Sequence, residues 1–134
     1  MIRYCISFLV FVAFDAVWLG LVAPSFYRTH IGHLMSEEPN LVPALFFYLI
    51  FLAGLNLFVL APNKDSSYKT VALYGSAFGF VTYATFDLTS QAVFLNFPTI
   101  VVIVDLLWGA FLSMSISVVT TWILRRKKAN SPSK

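Results

Sequence analysis

The sequence has little charge and almost no cysteine. Only 11% of its 134 residues are charged, whereas a soluble domain carries about 25%. No water-soluble core of this length needs 59% hydrophobic residues, so the composition excludes an ordinary globular protein and favours a lipid bilayer as the solvent for much of the chain. The single cysteine, Cys5, excludes an internal disulfide and a thiolate metal cluster.

Motifs for common cofactor chemistry are also missing. The chain has no Walker loop, no glycine-rich dinucleotide fingerprint, no nucleophile elbow and no histidine box. His30, His33 and Glu37 have the three- and four-residue spacing of metal ligands, but no other histidine or cysteine lies at their level. We therefore expect neither a cofactor nor a metal.

What the chain does contain is long apolar runs. About 20 helical residues cross the ~30 Å hydrocarbon core of a membrane. The runs predict an all-α membrane protein, a bundle of four transmembrane helices in one domain over residues 1–124. The predicted spans are residues 2–23, 41–61, 70–95 and 98–124, followed by a basic tail at residues 125–134.

Charge predicts how these spans are oriented. Four spans place both termini on one side, together with eight of the nine basic residues, and leave only Arg28 on the other side. Basic residues are enriched in cytoplasmic loops, so we expect a multi-pass protein of a bacterial inner membrane with both termini cytoplasmic. Five of the nine basic residues follow Ile123, so the net charge of +3 is local and does not indicate nucleic-acid binding.

Three aspartates interrupt the apolar runs. Counted from the outer ends of their spans, Asp15, Asp87 and Asp105 each lie about 10–12 Å below the outer rim. Acids within the membrane are costly and usually face a partner or water. Five neighbours are predicted to share or support this polar layer: Trp18, Tyr48, Tyr83, Thr89 and Trp108.

Two interpretations of the layer stay open. In one, the three acids form an outward-opening pocket that binds a cation, a proton or a polar head group. In the other, the acids hydrogen-bond to tyrosine, threonine or tryptophan and only fix how the helices pack.

The connection between the first two spans is long enough for a structure of its own. Apolar residues recur there at helical spacing, which predicts a short amphipathic helix on the outer surface. Arg28 and His33 lie off this face and are candidates to gate the acids or balance their charge. The apolar face comprises Phe26, Tyr27, Ile31, Leu34 and Met35.

Several motifs in order resemble domain-of-unknown-function family 2177 over nearly the whole chain up to Leu124. They are Phe14-Asp15-Ala16-Val17-Trp18-Leu19-Gly20, Phe26-Tyr27-Arg28, Gly32-His33-Leu34, Tyr83-Ala84-Thr85-Phe86-Asp87-Leu88-Thr89 and Val104-Asp105-Leu106-Leu107-Trp108-Gly109. The resemblance implies a small bacterial four-span inner-membrane protein. It implies no catalytic role, because the family has no established activity.

These observations favour transport or binding of a small solute, ion or proton through the aspartate cluster. We expect the lipid bilayer as the surroundings, a small polar or cationic ligand or a lipid head group at the site, and a homodimer if the protein transports. Two alternatives remain: an intramembrane enzyme acting on a lipid head group or isoprenoid, and an accessory subunit of a membrane complex.

Overall fold

The computed structural model describes residues 1–130, most of which belong to five α-helices. No strand occurs in this described part of the chain, which confirms the all-α prediction. A 3-10 helix at Gly32–Leu34 follows α2, and a π-helical segment at Leu55–Leu60 continues α3. The helices are α1 at Ile2–Leu21, α2 at Ala23–Ile31, α3 at Leu41–Gly54, α4 at Tyr68–Val93 and α5 at Thr99–Ala129.

Local chemistry explains where the helices begin and end. The side chain of Asn40 accepts a hydrogen bond from the Val42 amide (3.0 Å), and Ser67 accepts one from the Thr70 amide (3.2 Å). Both residues thereby cap free amides at the start of a helix. The tight turn between α4 and α5 contains Asn96 at φ 60°, a left-handed conformation that asparagine tolerates better than most residues.

Three helices are long and apolar enough to cross a membrane: Ile2–Leu21, Leu41–Leu60 and Thr99–Ala129. These three candidates coincide with three of the four predicted spans. Helix α4 has 26 residues, a sufficient length, but it is rich in glycine, serine and threonine and does not reach the same apolar character. That α4 also crosses the membrane therefore stays a prediction.

The basic run after residue 124 is helical. We predicted that the fourth span would end before Arg125, but α5 continues to Ala129. Arginine and lysine are good helix formers, and cations near a helix C-terminus interact favourably with its dipole. Residues 131–134 of the predicted basic tail lie outside the described residues.

Neighbouring long helices run antiparallel. Between α1 and α5, Phe14 packs on Phe111 and Trp18 on Trp108, so the residue numbers rise on one helix as they fall on the other. The same reversal relates α4 to α5, where Gly75 lies against Ser117 and Gly79 against Gly109. The amphipathic helix predicted between the first two spans is observed as α2.

Several polar residues lie inside the bundle, and many large apolar residues lie on its surface. Leu9, Leu73 and Phe86 are 67%, 68% and 63% exposed, while Asp87, Ser113 and Ser117 are buried. This distribution suits lipid as the surrounding solvent, because lipid tails are as apolar as leucine. One apolar core joins α1, α3, the π-helical segment and α5, and consists of Phe11, Phe51, Leu52, Leu55, Val59, Leu112 and Ile116.

Candidate functional site

A cavity of about 450 Å³ lies where α2, α4 and α5 meet. Asp87 of α4 and Asp105 of α5 both line this cavity, which we call the acid cavity. Tyr27 and Tyr83 contribute phenol groups and Thr82 a hydroxyl. The remainder of the lining is apolar: Ile31, Met35, Phe47, Phe86, Phe97 and Val101.

The acid cavity lies next to a close contact between α4 and α5. A Cβ atom on Gly79 would collide with the Gly109 carbonyl, so the backbones touch there. One turn further along α4, the ring of Tyr83 packs directly on Gly109. Beyond this wedge the helices leave space, and α2 covers it with Phe26, Tyr27 and Ile31 packed on the start of α5.

Asp105 has a dedicated hydrogen-bond donor. The Tyr27 hydroxyl donates to its Oδ1 at 2.5 Å. Burial, followed by the hydrogen bond to Asp105, raises the pKa of the Tyr27 phenol well above its usual value. The phenol therefore keeps its proton and continues to donate to the carboxylate.

Asp87 has no such donor. It is 1% exposed, and neither carboxylate oxygen has a hydrogen-bond partner within residues 1–130. Its carboxyl group lies close enough to that of Asp105 for the two to interact. Asp87 is thus a buried acid whose nearest polar neighbour is another acid.

Asp15 belongs to a second, smaller cavity of about 210 Å³. Its Oδ2 accepts a hydrogen bond from the Tyr48 hydroxyl at 2.9 Å. Trp18 and Trp108 also line this cavity and stack with ring centroids 4.4 Å apart and planes 12° from parallel. The indole nitrogen of Trp108 is buried and has no partner among the described residues.

Tyr83 stands between the two cavities. It lines both of them, as do Tyr27 and Phe47, and its phenol lies within electrostatic reach of all three aspartates. The three acids therefore surround one tyrosine, but only Asp87 and Asp105 share a cavity.

Three predicted residues lie away from the acids. Thr89 is exposed, and its hydroxyl donates to the backbone carbonyls of Thr85 and Phe86 in its own helix. Arg28 and His33 are exposed and line a separate surface groove of about 610 Å³ together with Glu37. The structure gives neither of these basic residues an ion pair with the aspartates.

Tyr27 was not predicted as a site residue. Its spacing placed it on the apolar face of the outer helix, and its neighbour Arg28 was the candidate to balance the acids. A signal was present, because a tyrosine on the buried face of a helix above an acidic layer needs a partner for its hydroxyl. No sequence feature distinguishes Phe47 and Phe97 as residues that line the cavity, because phenylalanine is common throughout the chain.

Comparisons with known proteins give one result. The sequence model of a family described as "Predicted membrane protein (DUF2177)" matches residues 1–122. Neither the curated proteins nor the solved structures contain a match to this chain.

Proposed function

Because the chain belongs to the DUF2177 family of predicted membrane proteins, we propose that it acts within the bilayer as a proton-linked binding or transport protein for a small cationic solute. Asp87 and Asp105 form the binding site. The observation that carries this proposal is the buried Asp87 carboxyl group, which faces a cavity and has no hydrogen-bond donor within the described chain.

The energetic argument starts from the cost of that carboxylate. Removing a charge from water without a partner costs several kcal/mol, and acids at membrane depth are retained mainly where they have a role. A neighbouring carboxylate at Asp105 adds repulsion. A proton or another cation in the acid cavity offsets both effects, whereas an empty site leaves them uncompensated.

The lining indicates the kind of cation. A bare metal ion prefers several oxygen ligands, but most of the acid cavity is apolar or aromatic. Aromatic faces such as those of Phe47 and Phe86 attract organic cations. A volume of about 450 Å³ falls within the usual range of small-molecule pockets. A small ammonium compound fits this combination, with its charge at the aspartates and its carbon atoms against the rings.

Proton coupling follows from competition for one site. A proton held between Asp87 and Asp105 and an ammonium group neutralise the same charge, so binding of the cation displaces the proton. Tyr27 strengthens this exchange because it holds Asp105 in one position. If the exchange is part of transport, a homodimer is the natural assembly, since one chain encloses little volume.

The enzyme alternative gains less support. It requires Arg28 and His33 above the acids, yet both line a different groove. The accessory-subunit alternative requires only packing, and the hydrogen bond between Tyr48 and Asp15 has that character. Asp87 does not, because it forms no such bond.

The test is replacement of Asp87 by asparagine in the purified full-length protein. We expect binding of tetramethylammonium and tetraethylammonium, followed by calorimetry, to weaken at least about tenfold, since a buried pair of charges contributes more than 1.4 kcal/mol. Proton release on binding, read with an indicator dye in weak buffer, should disappear. Folded protein should be retained, because asparagine has nearly the same shape as aspartate and its amide can still donate to Asp105.

Asp65→Asn is the matched control, because it is the same chemical change at an exposed site outside the acid cavity. It should leave cation binding and proton release unchanged. Loss of folded protein in Asp87→Asn alone, or equal binding by both variants, would instead assign the acids to helix packing.

A further inference from the structure

Another cavity, lined by basic residues, lies at the end of the molecule opposite the acid cavity. Its volume is about 490 Å³, and it opens where α1 and α4 begin and α5 ends. Four basic side chains line it: Arg3, Lys64, Arg125 and Lys128. We propose that this basic cavity binds a phosphate group, and that the phosphate belongs to an anionic membrane lipid.

The first support is that Arg125 is held in place. One of its terminal nitrogens donates to the carbonyls of Lys64 (3.0 Å) and Ser66 (2.5 Å). Its guanidinium carbon lies 4.7 Å from the centre of the Tyr68 ring, a cation–π distance. Its other guanidinium nitrogens have no hydrogen-bond partner in the described chain, and Arg125 lines the cavity. A fixed arginine loses less freedom when it binds an anion.

Arg3 is positioned in a similar way from the other side. Its Nε donates to the side chain of Asn56 at 3.1 Å. Asn56 is itself anchored, since its amide donates to Ser7 and to the Leu52 carbonyl at 2.8 Å each. Two arginines from different helices are thus fixed by neutral partners, which leaves their charge unbalanced.

Acidic side chains do not neutralise this cavity. The nearest is Asp65, which also lines it but lies 4.0 Å from Lys64 with both side chains largely exposed. A pair of that kind contributes little. Within residues 1–130 no carboxylate contacts Arg3, Arg125 or Lys128, so four positive groups meet one negative group.

Topology alone does not account for this arrangement. A positive-inside signal depends on the number of basic residues near the membrane, and it needs neither a cavity nor fixed side chains. Arg126 shows the simpler behaviour, since it lies over the Trp122 ring and does not line the cavity. Of the basic residues 125–128, Arg125 and Lys128 line the basic cavity and the other two do not.

Chemistry points to a phosphate, and location points to a lipid. Guanidinium groups bind phosphate oxygens in pairs, and basic pockets at the ends of membrane helices bind lipid head groups. The same cavity has apolar walls at Leu60 and Leu124, which suit the start of an acyl chain. A free phosphate ion would use the arginines but not these leucines.

The test compares two adjacent lysines in the full-length protein. Lys128 lines the cavity and Lys127 does not, so Lys128→Gln and Lys127→Gln remove equal charge. Lys128 has no hydrogen bond in the described structure, so neither variant should impair folding. Binding of phosphatidylglycerol is measured by native mass spectrometry in detergent, with phosphatidylcholine of the same acyl chains as the neutral lipid.

We expect phosphatidylglycerol to bind more tightly than phosphatidylcholine. Lys128→Gln should weaken its binding about fivefold, the contribution of one basic side chain near an anionic surface, while Lys127→Gln should change it less than twofold. Equal binding of both lipids, or equal weakening in both variants, would overturn the proposal in favour of diffuse charge.

A competition experiment identifies the source of the phosphate. Sodium phosphate is added to the lipid complex, with sodium sulfate at the same ionic strength for comparison. If neither salt displaces phosphatidylglycerol beyond the effect of ionic strength, the result supports a lipid as the source of the phosphate. Selective displacement by phosphate would overturn the assignment to a lipid and identify a free-phosphate site.

Discussion

Helices α4 and α5 contact each other differently in their two halves. In the half towards the basic cavity they touch through glycine, and a Cβ on Gly75 would lie only 2.7 Å from Ser117 Oγ. In the other half, which we call the open half, Asp87 and Asp105 line the acid cavity. The same pair of helices therefore forms a close backbone contact at one end and lines a cavity at the other.

The difference shows how a small membrane protein can hold a cavity open. Close backbone contact in lipid stabilises a helix pair without a large apolar core. Tyr83 marks the transition, because its ring fills the place against Gly109 where a smaller residue would let the helices continue in contact. We expect the glycine-packed half, the tight half, to contribute more to the stability of the fold than the open half.

The largest expected effect comes from breaking the tight half. In Gly79→Ala the added methyl group collides with the Gly109 carbonyl and the Ser113 hydroxyl. Overpacking of this kind costs about 1–3 kcal/mol, and contact with backbone places it at the upper end. We expect a lower midpoint of thermal unfolding and a smaller folded fraction on size exclusion.

Gly20→Ala is the control for that change. No atom lies within 4 Å of a Cβ added at Gly20, so the variant should unfold at the temperature of the native protein or slightly above it. If both alanine variants unfold at the same temperature, the close contact of α4 with α5 does not stabilise the fold.

A smaller effect is expected from Tyr27→Phe, which acts on the open half. The change removes the hydroxyl that donates to Asp105, and an acceptor that loses its buried donor costs about 1–3 kcal/mol. A double-mutant cycle for the free energy of unfolding, combining Tyr27→Phe with Asp105→Asn, should show a coupling of at least about 0.5 kcal/mol.

Tyr48→Phe provides the same comparison for the smaller cavity around Asp15. It removes the donor to Asp15, so its coupling should appear with Asp15→Asn and not with Asp105→Asn. Equal coupling of both tyrosines with both acids would mean that the two cavities act as one site.

The sequence predicts a common depth for the acids but did not predict which of them share a cavity. Each helical residue rises about 1.5 Å, so residue counts along the helices predict one level for Asp15, Asp87 and Asp105. Which acids share a cavity depends on how each helix is rotated about its axis. Asp15 and Asp105 have apolar neighbours on nearly every side, and Asp87 has polar neighbours on several sides. Neither pattern marks one face, so the rotation of the helices could not be predicted from the sequence.

The stacked tryptophans could have been predicted. Trp18 follows Asp15 by three residues and Trp108 follows Asp105 by three. If Asp15 and Asp105 lie at one depth on antiparallel helices, Trp18 and Trp108 start on opposite sides of that level. Side chains in a helix lean towards its N-terminus, so the two rings lean towards each other. The spacing therefore predicts contact between the indoles, and the structure has them 4.4 Å apart.

The smallest effect is expected for Thr89→Val, which tests whether the site extends to the outer face of α4. Thr82 and Thr89 both donate to backbone carbonyls of α4, but only Thr82 lines the acid cavity. Thr89→Val should change the free energy of unfolding by less than about 0.5 kcal/mol and leave tetraethylammonium binding unaltered in calorimetry. Thr82→Val should weaken that binding modestly, because it removes a polar group from the lining. If Thr89→Val weakened binding as much as Asp87→Asn, the site would lie on the outer face of α4 and not between α4 and α5.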